Sequence, residues 1–199
     1  MTGKERREQL LDVARSLFAE RGFDAASVEE IAHRANVSKP VVYEHFGGKE
    51  GIYAVVVDRE MSALLGRMTA ALAEDAHPRA LLERAARALL DYVDSSADGF
   101  RIMVRDSPVA TSTGTFASLL SDIASQVEHI LAVQFDSRGY DPKLAALYSQ
   151  ALVGMVALTG QWWLEARKPE KDEVAAHLVN LAWKGLSHLE KKPTLRERG

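Results

Sequence analysis

The chain contains no cysteine among its 199 residues. Without thiols it can form neither a disulfide framework nor a zinc ribbon, and it has no thiol nucleophile. A chain without cysteine also suits the reducing cytosol. The N-terminal residues lack the apolar run of a signal peptide, so we expect a cytoplasmic protein.

Sequence patterns typical of enzymes are also missing. The six histidines include no pair with the spacing of a metal site on one helix, and there is no glycine-rich phosphate loop or nucleophile elbow. We therefore expect no catalytic residue, no bound metal and no cofactor. An enzyme remains the less favoured alternative.

An excess of positive charge is lacking as well. The chain has a formal net charge of −3, and residues 1–50 contain eight lysines and arginines against nine aspartates and glutamates, a net charge of −1. A protein that binds nucleic acid mainly through its overall charge is usually basic. The case for DNA binding must therefore come from the pattern of residues rather than from composition.

The repeating pattern of apolar residues is helical throughout. No stretch alternates apolar and polar residues for long, so we predict no β-sheet. The hydrophobic fraction of 47% is ample for a buried core. We predict an all-α protein with a three-helix domain over residues 1–48, a larger helical domain over residues 49–190, and a solvated tail over residues 191–199.

Residues 27–46, SVEEIAHRANVSKPVVYEHF, have the pattern of two short helices joined by a tight turn. Ser27 followed by Glu30 predicts a reciprocal cap at the start of the first helix. Asn36 tolerates the left-handed conformation that a sharp turn demands, and Ser38 is placed to cap the second helix. This arrangement predicts a helix-turn-helix whose second helix enters the major groove of duplex DNA.

The predicted reading helix carries basic, apolar and aromatic side chains that suit contact with DNA. Lys39 near its tip can donate to guanine O6 and N7 or to a phosphate. Pro40 and Val41 offer apolar contacts to a thymine methyl group, and Tyr43 and His45 can donate to phosphate oxygens. Taken singly, each of these residues also has an ordinary structural interpretation. The prediction therefore depends on their arrangement.

From residue 6 to about residue 53 the sequence closely resembles the tetracycline-repressor (TetR) family of bacterial regulators. The resemblance lies in LLDVARSLFAERGFDAASVEEIAHRANVSKPVVYEHFGGKEGIY, about a quarter of the chain. It implies an N-terminal three-helix DNA-binding domain and a larger all-helical C-terminal domain. Members dimerise, usually through the last two long helices, and often hold a small molecule. Two departures are Asn36, where glycine is commoner, and the Gly47-Gly48 pair, where a polar pair is more usual.

The resemblance also implies which residues contact DNA. Those expected to face bases are Ser38, Lys39, Pro40 and Val41, and those expected to face the DNA backbone are Ser27, Tyr43, His45 and Lys49. The residues expected to form an arm toward the minor groove are Lys4, Arg6 and Arg7. The implied partner is a palindromic operator in double-stranded DNA. A dimer must hold its two reading helices about 34–36 Å apart to enter successive major grooves.

The C-terminal domain is expected to hold a small apolar effector, because large apolar side chains recur on its middle helices. The predicted pocket residues are Tyr92, Phe100, Met103, Phe116, Tyr148, Met155 and Trp162, with Gln150 and Thr159 as polar contacts. Ordinary core is the alternative for each. An effector that favours a spacing unsuited to DNA releases the protein, so a repressor is the favoured function. The alternatives are an activator of the same family and an architectural or non-specific DNA-binding protein.

One segment, residues 144–164, runs 21 residues without a charge. That length would span a bilayer, but Ser149 and Gln150 are among the polar residues that interrupt it. We predict no membrane partner and a helix buried on nearly all sides, in a large core or a dimer interface. The predicted homodimer contacts are Trp163 in this segment and Val174, Leu178, Leu181 and Gly185 in the last helix.

Overall fold

The computed structural model of the chain describes residues 2–73, 76–105 and 114–195. Over these ranges it contains nine α-helices, one short 3-10 turn and no strand, which confirms the all-α prediction. The composition of residues 107–114, rich in serine and threonine, predicts a loop, and this segment lies outside the described residues except at its last position. The helices are α1 Gly3–Ala25, α2 Val28–Arg34, α3 Lys39–Phe46, α4 Lys49–Leu72, α5 Pro78–Ser95, α6 Ala97–Val104, α7 Phe116–Ser137, α8 Ala145–Ala166 and α9 Lys171–Ser187, with the 3-10 turn at Pro142–Leu144.

The chain divides into two compact units. The first contains Met1–Gly66 and Tyr92–Leu119, and the second contains Arg67–Asp91 and Leu120–Gly199. Helices α4, α5 and α7 each contribute residues to both units. The sequence predicts a different boundary, after residue 48, between a DNA-binding part and a part with other roles. That functional boundary stays a prediction.

A hydrophobic core in the first unit joins the N-terminal helices. Leu10 and Leu17 of α1, Ile31 of α2, Val42 of α3 and Ile52 of α4 are all fully buried in one cluster. Burial of each such side chain stabilises the fold by about 1.5–3 kcal/mol. Because every one of these helices contributes to the same cluster, α2 and α3 are fixed relative to α1.

Helix α1 is kinked at Gly22, near its end. This glycine has a φ of 78°, which side chains disfavour, and the helix continues past it only to Ala25. Phe23 folds back on the end of α1, with its ring 6.2 Å from that of Phe18 and 4.9 Å from that of Tyr53. The chain therefore turns from α1 into α2 around an aromatic cluster.

The first unit also buries a carboxylate among four of its helices. The Tyr92 hydroxyl of α5 donates to Glu60 Oε2 of α4 at 2.5 Å, and the Arg15 guanidinium of α1 lies 3.3 Å from Glu60 Oε1. A Cβ added to Gly99 of α6 would lie 2.0 Å from Glu60 Oε2, so a larger residue there would displace the Glu60 carboxylate. This network ties α1 to the part of α4, α5 and α6 that lies in the same unit.

Helix α8 of the second unit is less buried than predicted. The segment Pro142–Ala166 is long and apolar enough to cross a membrane by length and composition alone, and 28% of its most apolar window is buried. The side chains of Leu147, Leu158 and Trp162 are exposed by 63%, 65% and 53%. Burial on nearly all sides by the core of the single chain is therefore not what is seen, and the alternative of burial in a dimer interface stays a prediction. The apolar residues of α8 occupy more than one face, and only part of that surface packs within the protomer.

Candidate nucleic-acid interface

The turn between α2 and α3 is formed by one left-handed residue and a tight backbone hydrogen bond. Asn36 has a φ of 53°, as predicted. The N–H of Val37 donates to the carbonyl of Ala32 at 2.9 Å, and its side chain packs against the core. The helix-turn-helix is thus specified by local backbone chemistry together with the core beneath it.

Ser27 caps α2 as predicted. Its Oγ accepts from the N–H of Glu30 at 3.2 Å. The Glu30 carboxylate was expected to return this contact, but it accepts instead from the guanidinium groups of Arg21 at 2.9 Å and Arg34 at 3.1 Å. Charge-assisted hydrogen bonds of this kind are stronger than a neutral one, which explains why the reciprocal half of the predicted cap is replaced.

Ser38 occupies the N-cap position of α3, but its side chain makes no capping hydrogen bond. Pro40 in the first turn has no N–H, and the N–H of Val41 donates to the backbone carbonyl of Ser38 at 3.0 Å. The prediction that the Ser38 side chain caps the helix is therefore wrong. Its exposed hydroxyl has no capping role and is available to a molecule outside the protein.

Alanine substitutions should separate the roles of these two serines. We expect Ser27→Ala to lower the free energy of unfolding by about 1 kcal/mol, because an N–H at the start of α2 loses its acceptor. Ser38→Ala should change it by less than about 0.5 kcal/mol, since no intramolecular bond is lost. Urea unfolding followed by circular dichroism measures both. An equal loss of unfolding free energy in both variants would contradict the different roles of the two serines.

Helix α3 presents one side to solvent and packs the other against the core. The exposed members of the predicted DNA-binding set on α3 and its cap are Ser38, Lys39, Pro40 and Tyr43, while Ser27, Val41, His45 and Lys49 are half-buried. Val42 between them is fully buried, and Val41 packs partly against the same cluster. The tip of α3 is therefore both accessible and held rigidly.

The ammonium group of Lys39 is paired within the protein. It forms an ion pair with the carboxylate of Glu29 on α2 and lies 5.8 Å from the centroid of the Tyr43 ring. The hydrogen bond to Glu29, followed by the charge of that carboxylate, raises the pKa of Lys39. The hydrogen bond from Lys39 lowers the pKa of Glu29. Both groups are thus ionised at neutral pH and their charges balance.

Lys49 connects the start of α4 to the end of α1. Its Nζ donates to the carbonyl oxygens of Phe23 at 2.9 Å and Asp24 at 3.3 Å. It also lies 4.4 Å from the centroid of the Phe23 ring. Lys49 therefore satisfies backbone carbonyls that α1 leaves without helical partners, and its predicted contact with the DNA backbone stays a prediction.

The predicted N-terminal arm is helical in the structure. Its residues are Lys4, Arg6 and Arg7. Thr2 and Glu5 form a complete capping box, with N–H to side-chain distances of 3.2 and 2.6 Å, so α1 begins before the arm. The Arg7 guanidinium lies 4.7 Å from the centroid of the Phe46 ring. The arm therefore begins as the first turns of α1, and its contact with the minor groove stays a prediction.

The residues predicted to line an effector pocket belong to both compact units. Those in the first unit are Tyr92, Phe100, Met103 and Phe116, and those in the second are Tyr148, Gln150, Met155, Thr159 and Trp162. Tyr92 and Phe100 are fully buried, and the Phe100 and Phe116 rings meet edge to face at 5.7 Å. Gln150 and Trp162 are exposed, which suits a subunit contact better than the wall of a pocket. The pocket itself stays a prediction.

The residues predicted to form the dimer interface differ in exposure. Leu181 and Gly185 are exposed, while Trp163, Val174 and Leu178 are buried within the second unit. The Trp163 indole N–H donates to the carbonyl of Pro169 at 2.9 Å. Adjacent helical residues point about 100° apart, so Trp163 packs in its own protomer and Trp162 faces outward. Their predicted roles, Trp163 at the dimer interface and Trp162 in the pocket, stay predictions.

Two residues near the DNA-binding helices carry no obvious sequence signal. A Cβ added to Gly51 of α4 would lie 1.8 Å from the backbone oxygen of Phe46. Glu29 pairs with Lys39 across the helix-turn-helix. A helix-turn-helix brings the starts of its two helices near each other, so the ion pair of Glu29 with Lys39 could have been suspected from the sequence. The need for glycine at position 51 could not, because it depends on how closely α3 and α4 approach.

The geometry defines a helix-turn-helix regulator that binds DNA, with an all-helical C-terminal region. Residues 10–56 match the family described as "Bacterial regulatory proteins, tetR family", and residues 78–185 match "Tetracyclin repressor-like, C-terminal domain". The chain belongs to the TetR family of bacterial transcriptional regulators, as the resemblance predicted.

Individual relatives agree with this assignment over most of the chain. The HTH-type transcriptional activator FasR of Mycolicibacterium smegmatis is 33% identical over 190 residues, 93% of this chain and 84% of FasR. An HTH-type transcriptional repressor of Mycobacterium tuberculosis is 32% identical over 186 residues, 87% of this chain and 90% of that protein. The crystal structure of a TetR-like transcriptional regulator from Rhodococcus sp. RHA1 has a TM-score of 0.73 at 27% identity, and covers 92% of this chain and 96% of that one. The chain is thus a DNA-binding transcriptional regulator and not an enzyme.

Proposed function

We propose that the chain binds a palindromic operator as a homodimer through α3, and that a small apolar effector in its C-terminal domain releases it. The observation that carries the proposal is the exposed tip of α3. Ser38, Lys39 and Pro40 face solvent, while Val42 just behind them is fully buried. A tip held in this way can enter the major groove without refolding.

The charge of the N-terminal region limits how such binding works. Residues 1–50 have a net charge of −1, so attraction to phosphates in general contributes little. Affinity must come from a few well-placed contacts. We propose Ser38, Lys39, Pro40 and Val41 for bases, and Ser27, Tyr43, His45 and Lys49 for the DNA backbone. In this assignment residues 1–48 recognise DNA and residues 49–190 bind the effector and dimerise.

The exposed apolar stripe on α8 supports the homodimer. Leu147 and Leu158 are eleven residues apart, about three helical turns, and Trp162 follows one turn later. Leu181 of α9 is exposed by 65%. Large apolar side chains exposed along one face of a helix are typical of an interaction site, and a two-fold axis would bury the stripe against its own copy. If the stripe is buried in a dimer, α8 has no need of a lipid environment. We therefore propose that the protein acts in the cytoplasm.

The sign of regulation has two candidates. A repressor follows if the bound dimer blocks transcription and the effector releases it. An activator is favoured by one observation, since FasR of M. smegmatis is named a transcriptional activator. A reporter gene behind the operator separates them: its output rises when a repressor is deleted and falls when an activator is deleted.

Replacing Lys39 with alanine tests the DNA-binding assignment. We expect Lys39→Ala to weaken operator binding about tenfold or more, because a good contact to a base contributes about 1–3 kcal/mol. The operator is first located by footprinting the DNA upstream of the protein's own gene, and fluorescence anisotropy at fixed salt then measures affinity. Light scattering should show an unchanged dimer. Unchanged operator affinity would remove Lys39 from the interface.

Two further measurements use the same operator assay. A scrambled sequence should bind far more weakly than the operator. Equal binding to both would favour an architectural DNA-binding protein instead. A library of lipophilic small molecules, added to the complex, should contain compounds that release it if the protein responds to an apolar ligand.

A further inference from the structure

We propose that Glu29 sets the DNA specificity of the protein by holding the Lys39 ammonium, so that Lys39 is presented to a base rather than to phosphates in general. In this role Glu29 is a positioning residue that acts through Lys39. The inference rests on the proposed function, because it requires Lys39 to contact the operator.

The placement of Glu29 is unusual for a protein that approaches a polyanion. It lies in the first turn of α2, and its side chain is exposed by 62%. An exposed acid next to a DNA-reading helix repels phosphates unless its charge is balanced. Here Lys39 balances it, since the two side chains form an ion pair between the start of α2 and the start of α3.

The pair also limits where the Lys39 ammonium can go. Glu29 holds it on one side, and the Tyr43 ring lies 5.8 Å away. An unpaired lysine has a long, mobile side chain that serves as a point charge for any phosphate within reach. An exposed ion pair contributes only about 0–1 kcal/mol, so the contacts of Lys39 favour one direction of its side chain over the others without fixing it.

The hydrogen-bonding capacity of an ammonium group explains how a paired lysine can still read a base. It has three N–H donors. If one stays on the Glu29 carboxylate, two remain, which matches the adjacent O6 and N7 acceptors of guanine in the major groove. A phosphate is less favoured as a partner, because the ion pair of Lys39 with Glu29 carries no net charge and is attracted to it only weakly.

The other basic side chain of α2 and α3 is also paired with carboxylates. Both helices lie wholly within the described residues, and their one arginine is Arg34. It pairs with Glu20 at 2.8 Å and Glu30 at 3.1 Å. Every lysine and arginine in α2 and α3 therefore has a carboxylate partner, so α2 and α3 offer little unbalanced charge to an arbitrary DNA sequence.

The variant Glu29→Gln tests the proposal, because it removes the charge while keeping the size of the side chain. The freed Lys39 should tighten binding to scrambled DNA by about three- to tenfold. The slope of log affinity against log salt should steepen by about 0.9, as one more phosphate is neutralised. Operator affinity should change less, so the ratio of operator to scrambled affinity should fall. Thermal unfolding checks that the variant is folded, which we expect for an exposed position.

Two controls separate pairing from overall charge. Glu44→Gln removes the same charge from an exposed position on α3. In a Lys39→Ala background, Glu29→Gln should no longer change the affinity ratio, whereas any effect of Glu44→Gln should persist. A fall in the ratio that survives in the Lys39→Ala background would overturn the proposal, as would an unchanged ratio in the otherwise unaltered protein. If Lys39→Ala alone leaves operator affinity unchanged, the proposed base contact fails first and this inference fails with it.

Discussion

Gly51→Ala should destabilise the protein and greatly weaken operator binding, although it adds only a methyl group. The added Cβ would lie 1.8 Å from the backbone oxygen of Phe46 and 3.0 Å from its carbonyl carbon. These are backbone atoms at the end of α3, so no flexible side chain can move aside. Either α3 or α4 must shift, at a cost of about 2–3 kcal/mol.

The close approach of the two helices follows from the link between them. Gly47 and Gly48 have φ values of 74° and 133°, so the chain reverses in two residues and Lys49 already begins α4. Phe46 at the end of α3 packs against the core. A shift at this junction therefore displaces the reading helix itself. Operator affinity should fall more than tenfold even at temperatures where the variant remains folded.

Gly66→Ala is the matched control for this prediction. It lies in the same helix, and a Cβ added there meets no atom within 4 Å. Alanine is favoured over glycine within a helix by about 0.5–1 kcal/mol, so this variant should be as stable as the parent or slightly more so. Circular dichroism melting and the operator titration compare the two. A Gly51→Ala protein that melts and binds like Gly66→Ala would show that α3 and α4 can separate without cost.

Features set by neighbouring residues could be predicted from the sequence. Ser27 and Asn36 each act through their own backbone or the next turn, and both are found in the predicted role or conformation. Features that depend on which of several hydrogen-bond partners a group chooses could not be predicted. The Ser38 side chain makes no cap, because Pro40 lacks an N–H and the N–H of Val41 donates to a backbone carbonyl.

Predictions for the site differ in the same way. The predicted DNA contacts of Lys39 and Tyr43 require exposed side chains, and both are exposed. The partner of Lys39 depends on the angle between α2 and α3, which spacing alone does not give. Adjacent helical residues such as Trp162 and Trp163 point about 100° apart, but which of them is buried depends on where the chain returns after α8.

Leu158→Glu should convert the proposed dimer into a monomer and reduce operator affinity about 100-fold or more. Leu158 is exposed by 65% in the protomer, so the substitution should cost the isolated fold little. In a two-fold dimer each protomer contributes one glutamate, and the interface would then bury two unpaired carboxylates. A monomer binds one half-site and loses the gain from the second, which is about 100-fold or more for linked sites.

The measurement is analytical ultracentrifugation at micromolar concentration together with the operator titration. Leu195→Glu is the matched control, because it makes the same change at a position exposed by 96% in the tail, outside α8 and α9. It should remain a dimer and bind the operator normally. Leu181→Glu on α9 should behave like Leu158→Glu if both helices form the seam. A Leu158→Glu protein that stays dimeric would place the interface elsewhere, and the apolar stripe of α8 would then need another partner.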